Sequence, residues 1–269
     1  GEGQFGPTVT VGRLKTALKK LGFDYVYEVA LGGDLVSMNE AKELIEKKSE
    51  GKKMTTSCCP AFVNLIRKHY PELMEYVSTT VSPMQANVRY IQEKHPGAYI
   101  VFIGPCIAKK FEAEMMEAPD AVMTFEELNA VFDAKRIDPT ECEEEITPDA
   151  TSYGRRFSAS GGVAQSVIKA AAENGCMDIK AKPCSGVKEC KVALAMLKVG
   201  KLPEDIIEGM ACEGGCIAGP GSIATLQQLK AARMKKIKGK DGDSITDMLT
   251  NMEANDVDMV RTSFDMPEK

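Results

Sequence analysis

Apolar positions along the chain switch between helical spacing and short runs suited to buried strands, and the two kinds of segment alternate for most of its length. Val11, Leu14, Leu18 and Leu21 predict a helix that stops at Gly22, followed by a strand over Tyr25 to Val29. Asp34 reads as the N-cap of a helix running to about Lys48, and Lys53 to Thr56 as a short strand. Pro60 and Ser82-Pro83 open two further helices, the second reaching about Glu93. Ala98 to Ile103 reads as a buried strand that ends at Gly104-Pro105-Cys106, and Thr124 with Glu127 forms the capping box of a helix to about Phe132.

The second half repeats the alternation. Asp138 to Ser152, acidic and rich in Pro and Thr, is the expected exposed connection. Gly161-Gly162 lead into a helix over Val163 to Ala172, then come a strand near Met177 to Ala181, a helix near Val187 to Leu197 and a strand over Asp205 to Glu208. Ser222 to Lys240 predicts a basic amphipathic helix, and the chain beyond Asp241 turns acidic and Met-rich. This tail is expected to be a solvated peripheral helix, with a partner-docking surface as the alternative. The pattern is that of α/β architecture with largely parallel strands.

Composition narrows the chemistry. Among 269 residues, 34 Lys+Arg against 39 Asp+Glu give a net charge of −5, without a basic tract that would follow a phosphate backbone, so nucleic acid is not an expected partner. Runs such as Tyr99 to Ile103 are far short of the roughly 18 residues a bilayer crossing needs, and a cytoplasmic protein is expected. The sequence starts at Gly1, which suggests an excised domain or processed product. Two histidines, His69 and His95, both expected at solvated helix ends, leave little material for histidine-ligated metals or a Ser-His-Asp triad.

Nine cysteines remain, an odd number that favours thiolate chemistry or metal binding over disulfides. Three cysteine-bearing turns follow predicted strands: Thr56-Ser57-Cys58-Cys59-Pro60, Gly104-Pro105-Cys106, and Met210-Ala211-Cys212-Glu213-Gly214-Gly215-Cys216. Carboxyl ends of parallel strands share an edge, so four thiolates far apart in sequence can converge there. Iron-sulfur clusters take four thiolates and benefit from nearby glycines. The spacing favours iron, with a structural zinc site and unligated core cysteines left as alternatives. Cys142, Cys176, Cys184 and Cys190 read as incidental thiols.

These turns resemble the three signature segments of the iron-only hydrogenases: TSCCPAF, PCIAKKFEAE and EGMACEGGCIAGPGS occur in that family's order, with similar sequence between them from about Gly1 to Ile223. The resemblance implies an α/β catalytic domain of two lobes (about 1–112 and 113–223), each a small, mainly parallel sheet flanked by helices, with the active site in the cleft between them and a helical tail over 224–269. It further implies that Cys59, Cys106, Cys212 and Cys216 hold a 4Fe-4S cluster linked to a diiron unit with CO, cyanide and a bridging azadithiolate. Cys58 would then pass protons to that unit, fed by Glu40, Glu43 and Ser78. A thiol, with an ordinary pKa near 8.5, suits such reversible transfer. Lys109 and Ser82 would donate to the cyanides, and Met210, Phe157 and Pro105 would line the pocket. Taken without the resemblance, Lys109 reads as a surface lysine, Ser82 as a helix cap and the Glu40/Glu43 pair as a solvated face.

The implied partners are a ferredoxin or another electron carrier, or upstream iron-sulfur domains, and hydrogenase maturation proteins. Gly104, Phe62, Met84 and Pro220 depart from prototypical members, which carry Met, Trp, Gln and Gly there, and so resemble less-studied branches that include sensory forms. Two readings therefore stand beside a hydrogenase: a dihydrogen sensor and an iron-sulfur assembly or scaffold protein without the diiron unit.

Overall fold

A computed structural model describes residues 3–146, 149–237 and 242–261. Helix α1 (Val11–Lys20) starts where the Thr10 hydroxyl accepts from the Arg13 N–H, and α2 (Val29–Ser49) follows an irregular stretch that was expected to be a strand. Asp34 does not begin α2. It lies buried inside it, and its carboxylate accepts from the N–H and hydroxyl of Thr151, the N-cap of a later helix. Its polarity serves a neighbouring helix, a relation that local sequence does not carry.

Strand β1 (Met54–Thr55) leads to α3 (Pro60–His69), and α4 (Pro83–Lys94) is capped by Ser82. Strand β2 (Val101–Ile103), α5 (Ala108–Met116) and β3 (Ala121–Met123) make a parallel crossover unit, and α6 (Phe125–Lys135) carries the expected capping box. Then come α7 (Ser152–Arg156), α8 (Gly162–Glu173), β4 (Ala181–Ser185), α9 (Val187–Lys198) and β5 (Ile206–Met210). Strand β4 begins where the predicted strand was to end. The connection before α7 is largely exposed up to residue 146, but Asp149 to Ser152 are buried, and residues 147–148 lie outside the described set.

Two small parallel sheets result: β1-β5-β4, and β2-β3. The expected lobe boundary near residue 112 falls inside α5, between two paired strands, and the three-stranded sheet joins β1 from the first half to β4 and β5 from the second. Parallel pairing requires a crossover, and here the crossovers carry strands of one half into the sheet of the other. Helix α2 is the central pillar and crosses α4 at Gly32, where a Cβ would lie 2.1 Å from the Pro83 carbonyl oxygen. Only glycine permits that approach.

The tail is not peripheral. After α10 (Leu226–Ile237) and α11 (Ile245–Asn251), the buried Ile245, Leu249, Ala254, Val257 and Met259 belong to the main core with α2 and α8. Each large apolar side chain so buried is worth about 1.5–3 kcal/mol, which sequence charge does not register. Residues 238–240 of the predicted basic helix lie outside the described set.

Candidate metal centre

Pairing of β1 with β5 (Met54 opposite Ile206, Thr55 opposite Ile207) brings the loops after both strands to one edge. The Thr56 N–H donates to the Ile207 carbonyl at 2.9 Å, and the Thr56 hydroxyl accepts from the Gly209 N–H at 3.2 Å. Cys58 and Cys59 thereby meet the Met210–Cys216 turn, and the Ala211 and Phe62 N–H groups oppose the rise of the Cys59 pKa that burial causes. The Cys106 turn joins them through the Pro105 carbonyl, which accepts from the Gly221 N–H at 2.9 Å.

The Cys212–Cys216 turn is held from outside as well. Gly215, at φ +90°, is pressed so closely against Ser158 to Ser160 that a Cβ would lie 2.5 Å from the Ser160 nitrogen. The Ser160 N–H donates to the Gly214 carbonyl, the Gly214 N–H to the Ser185 hydroxyl at 2.8 Å, and the Ile217 N–H to the Ser158 carbonyl. Glu208, buried just before the turn, caps α8 by accepting from the Gly161 and Ala164 N–H groups at 2.7 and 2.8 Å, and burial raises its pKa to about 7.

One cavity of about 680 Å³ is lined by Cys58, Cys59, Cys106 and Cys216 together with Lys109, Pro105, Phe157 and Met210. Met84 and Gly104 also line it, and a Cβ at Gly104 would lie 2.9 Å from the Phe102 ring. Cys212 is half-buried and not part of the lining, yet its thiol pKa is raised by burial and by the nearby Cys59 and Cys106. Burial likewise raises Cys58, Cys59 and Cys216, with Cys59, Cys106 and Cys212 adding to the effect at Cys216. The Lys109 charge opposes this at Cys58, Cys59 and Cys216. Among the described residues no three His, Cys, Asp or Glu side chains close on one point tightly enough for a single metal ion.

Lys109 is not a surface lysine. Its buried ammonium donates to the Cys58 carbonyl at 3.3 Å and to Glu112 Oε2 at 2.5 Å. Glu112 is not among the expected site residues, although it lies within the PCIAKKFEAE segment and three residues after Lys109 on α5. Ser82 lies outside the cavity lining, with its hydroxyl 3.4 Å from the Gln85 N–H that it caps. His95 is no solvated end: its Nε2 lies 2.6 Å from the Tyr27 hydroxyl and its ring stacks on Tyr25 at 3.9 Å.

Behind Cys58, Glu40 is fully buried in α2. Its Oε1 accepts from the Ser57 N–H at 3.2 Å, its Oε2 has no hydrogen-bond partner, and burial lifts its pKa to about 8. One turn on, Glu43 accepts from the Ser78 hydroxyl at 2.6 Å and pairs with Lys47 at 3.1 Å. The Glu40/Glu43 pair is thus not a solvated face. Cys184 and Cys190 are fully buried in the apolar cluster against which Cys59 packs.

In this small α/β unit three cysteine-bearing turns gather at the carboxyl edge of parallel strands, the place where ligands bind in such sheets. The profile of the iron-only hydrogenase large subunit, C-terminal domain, matches residues 2–220, and the chain belongs to that family. Iron hydrogenase 1 of Clostridium pasteurianum is 32% identical over 87% of this chain and 49% of its own length. A probable cytosolic Fe-S cluster assembly factor of Anopheles gambiae is 25% identical over 84% of this chain and 59% of its own. The chain therefore spans only about half of these relatives. In fold it matches a Chlamydomonas reinhardtii FeFe-hydrogenase HydA1 variant, with a TM-score of 0.72 at 21% identity, covering 91% of this chain and 83% of that one. Among the described residues no helix is long and apolar enough to cross a membrane.

Proposed function

We infer that the protein catalyses 2H⁺ + 2e⁻ ⇌ H₂, with Cys59, Cys106, Cys212 and Cys216 holding a 4Fe-4S cluster beside a diiron unit in the adjoining cavity. The residues present fit such a group. Soft thiol donors face a cavity walled by Met84, Phe157 and Met210, with the Lys109 ammonium available to an anionic ligand. When bound, the cluster and the diiron unit with its CO, cyanide and azadithiolate would supply electrons and an open iron position.

The chain's own part is to exclude water and move the proton. The observation that carries the reading is Cys58, a cavity-lining thiol that is no cluster ligand in this assignment, backed by the buried Glu40. With pKa values raised by burial, both hold their protons at neutral pH, so each can donate and be recharged. Glu43, with Ser78 and Lys47 against it, connects this pair towards solvent. A ferredoxin or similar carrier would exchange electrons with the cluster, and maturation proteins would install the diiron unit.

A second reading, a cluster-assembly protein without the diiron unit, is favoured by the Anopheles relative. A dihydrogen sensor keeps the same site with slow turnover. Infrared spectroscopy of the matured protein separates the first two: CO and CN stretching bands are expected, and a protein with a filled 4Fe-4S cluster that never acquires them is the assembly protein.

A further inference from the structure

The segment that closes the described chain reaches the metal centre. Residues 258–261 run antiparallel to 79–81: Val81 N–H donates to the Met259 carbonyl, Arg261 N–H to the Thr79 carbonyl at 2.7 Å, and Thr80 bridges Val260. This carries the Arg261 side chain inward, where it is 8% exposed. Its guanidinium Nη2 lies 3.6 Å from Glu112 Oε1 and 3.4 Å from the Ser57 carbonyl, to which it donates. The other Glu112 oxygen holds Lys109, and Lys109 in turn donates to the Cys58 carbonyl.

Two cations thus share one buried carboxylate, and each also grips a carbonyl of the Ser57–Cys58 loop. Arg261 Nη2 serves both acceptors, the Glu112 carboxylate and the Ser57 carbonyl. A buried ammonium holds its place only while its counter-charge is held, and Glu112 is held from its far side by Arg261. The network keeps one net positive charge beside the cavity. The reach of that charge is visible in its neighbours: Arg261 opposes the burial-driven rise of the Glu40 pKa.

We propose that Arg261 is a positioning residue of the cysteine site: through Glu112 it holds the Lys109 ammonium at the cavity wall and, through Ser57, the loop that carries Cys58. The segment at 258–261 is then a working part of the centre. The relevance to catalysis rests on the functional reading above, but the positioning itself does not.

The test uses the full chain. In the cofactor-free protein, amine acylation of each lysine is followed by mass spectrometry. Arg261→Gln and Glu112→Gln should each speed labelling of Lys109 by about fivefold or more, with Lys191 and Lys230, both exposed, unchanged; Arg261→Lys should restore much of the protection. Unchanged Lys109 labelling in Arg261→Gln overturns the proposal. So does faster labelling of all three lysines alike, which would make Arg261 a general fold contact.

In protein reconstituted with a 4Fe-4S cluster, the two variants should shift the midpoint potential in opposite directions, down for Arg261→Gln and up for Glu112→Gln. Shifts of the same sign overturn the proposal, because loosening of the fold is blind to the sign of the charge removed. If the wild-type protein takes up no cluster, the functional reading fails, and the labelling still decides the role of Arg261.

Discussion

The turns bearing Cys58–Cys59 and Cys212 hang from a three-stranded sheet in which every residue of β1 and β5 is buried. The turn bearing Cys106 hangs from a two-stranded sheet whose residues are all half-buried. The first edge is fixed many times over, by strand pairing, by Glu208 on α8 and by Ser158 to Ser160 against the third turn. The second depends on one short pairing and on the Pro105–Gly221 contact. Proton chemistry needs donors held within hydrogen-bond reach, and the candidate relay lies on the rigid side. The looser side carries Gly104, one of the four positions at which the chain departs from the prototypical sequences.

The largest expected effect tests the rigid side's chemistry. Cys58→Ala should cut dihydrogen turnover of the matured protein about 10²- to 10⁴-fold with CO and CN bands retained; undiminished gas evolution would remove the proton route from this side. The next probes rigidity itself. Ile207→Ala, in fully buried β5, should cost about 2–5 kcal/mol in urea unfolding of the cofactor-free protein, and Val101→Ala in β2 about 1 kcal/mol or less. Equal losses would erase the distinction.

The third concerns Glu40. Its folded pKa of about 8 lies above the ordinary carboxyl value of 4.5, so the folded state keeps a proton that the unfolded state releases. That contribution is fully present below 4.5 and is lost as pH rises through 8. Glu40→Gln should therefore stabilise the cofactor-free protein by up to about 3 kcal/mol at pH 7, and hardly at all at pH 4, with melting temperature against pH as the measurement. A gain independent of pH would mean that Glu40 is not held protonated.

Much of this was legible in local pattern. The Thr124/Glu127 capping box, the Pro60 and Ser82-Pro83 helix starts and the cysteine turns after strands depend on neighbours within a few positions, where sequence and geometry are closely tied. Asp34 misled because a residue type that caps helices can instead lie buried within one, here holding Thr151, the cap of α7. Tyr25 to Val29 misled because an apolar run forms a strand only when an edge is there to pair with it.

The centre divides the same way. By itself the sequence determined the family, the order of the cysteine turns and the presence of a second thiol beside Cys59, because these are covalent facts of spacing and residue type. Only the tertiary structure decided that the two halves share one sheet, that Glu40 and Lys109 are buried, and that Glu112 and Arg261 stand behind the site. Burial and charge pairing are set by what lies within a few ångströms in space, and Arg261 reaches Ser57 from 204 positions away along the chain.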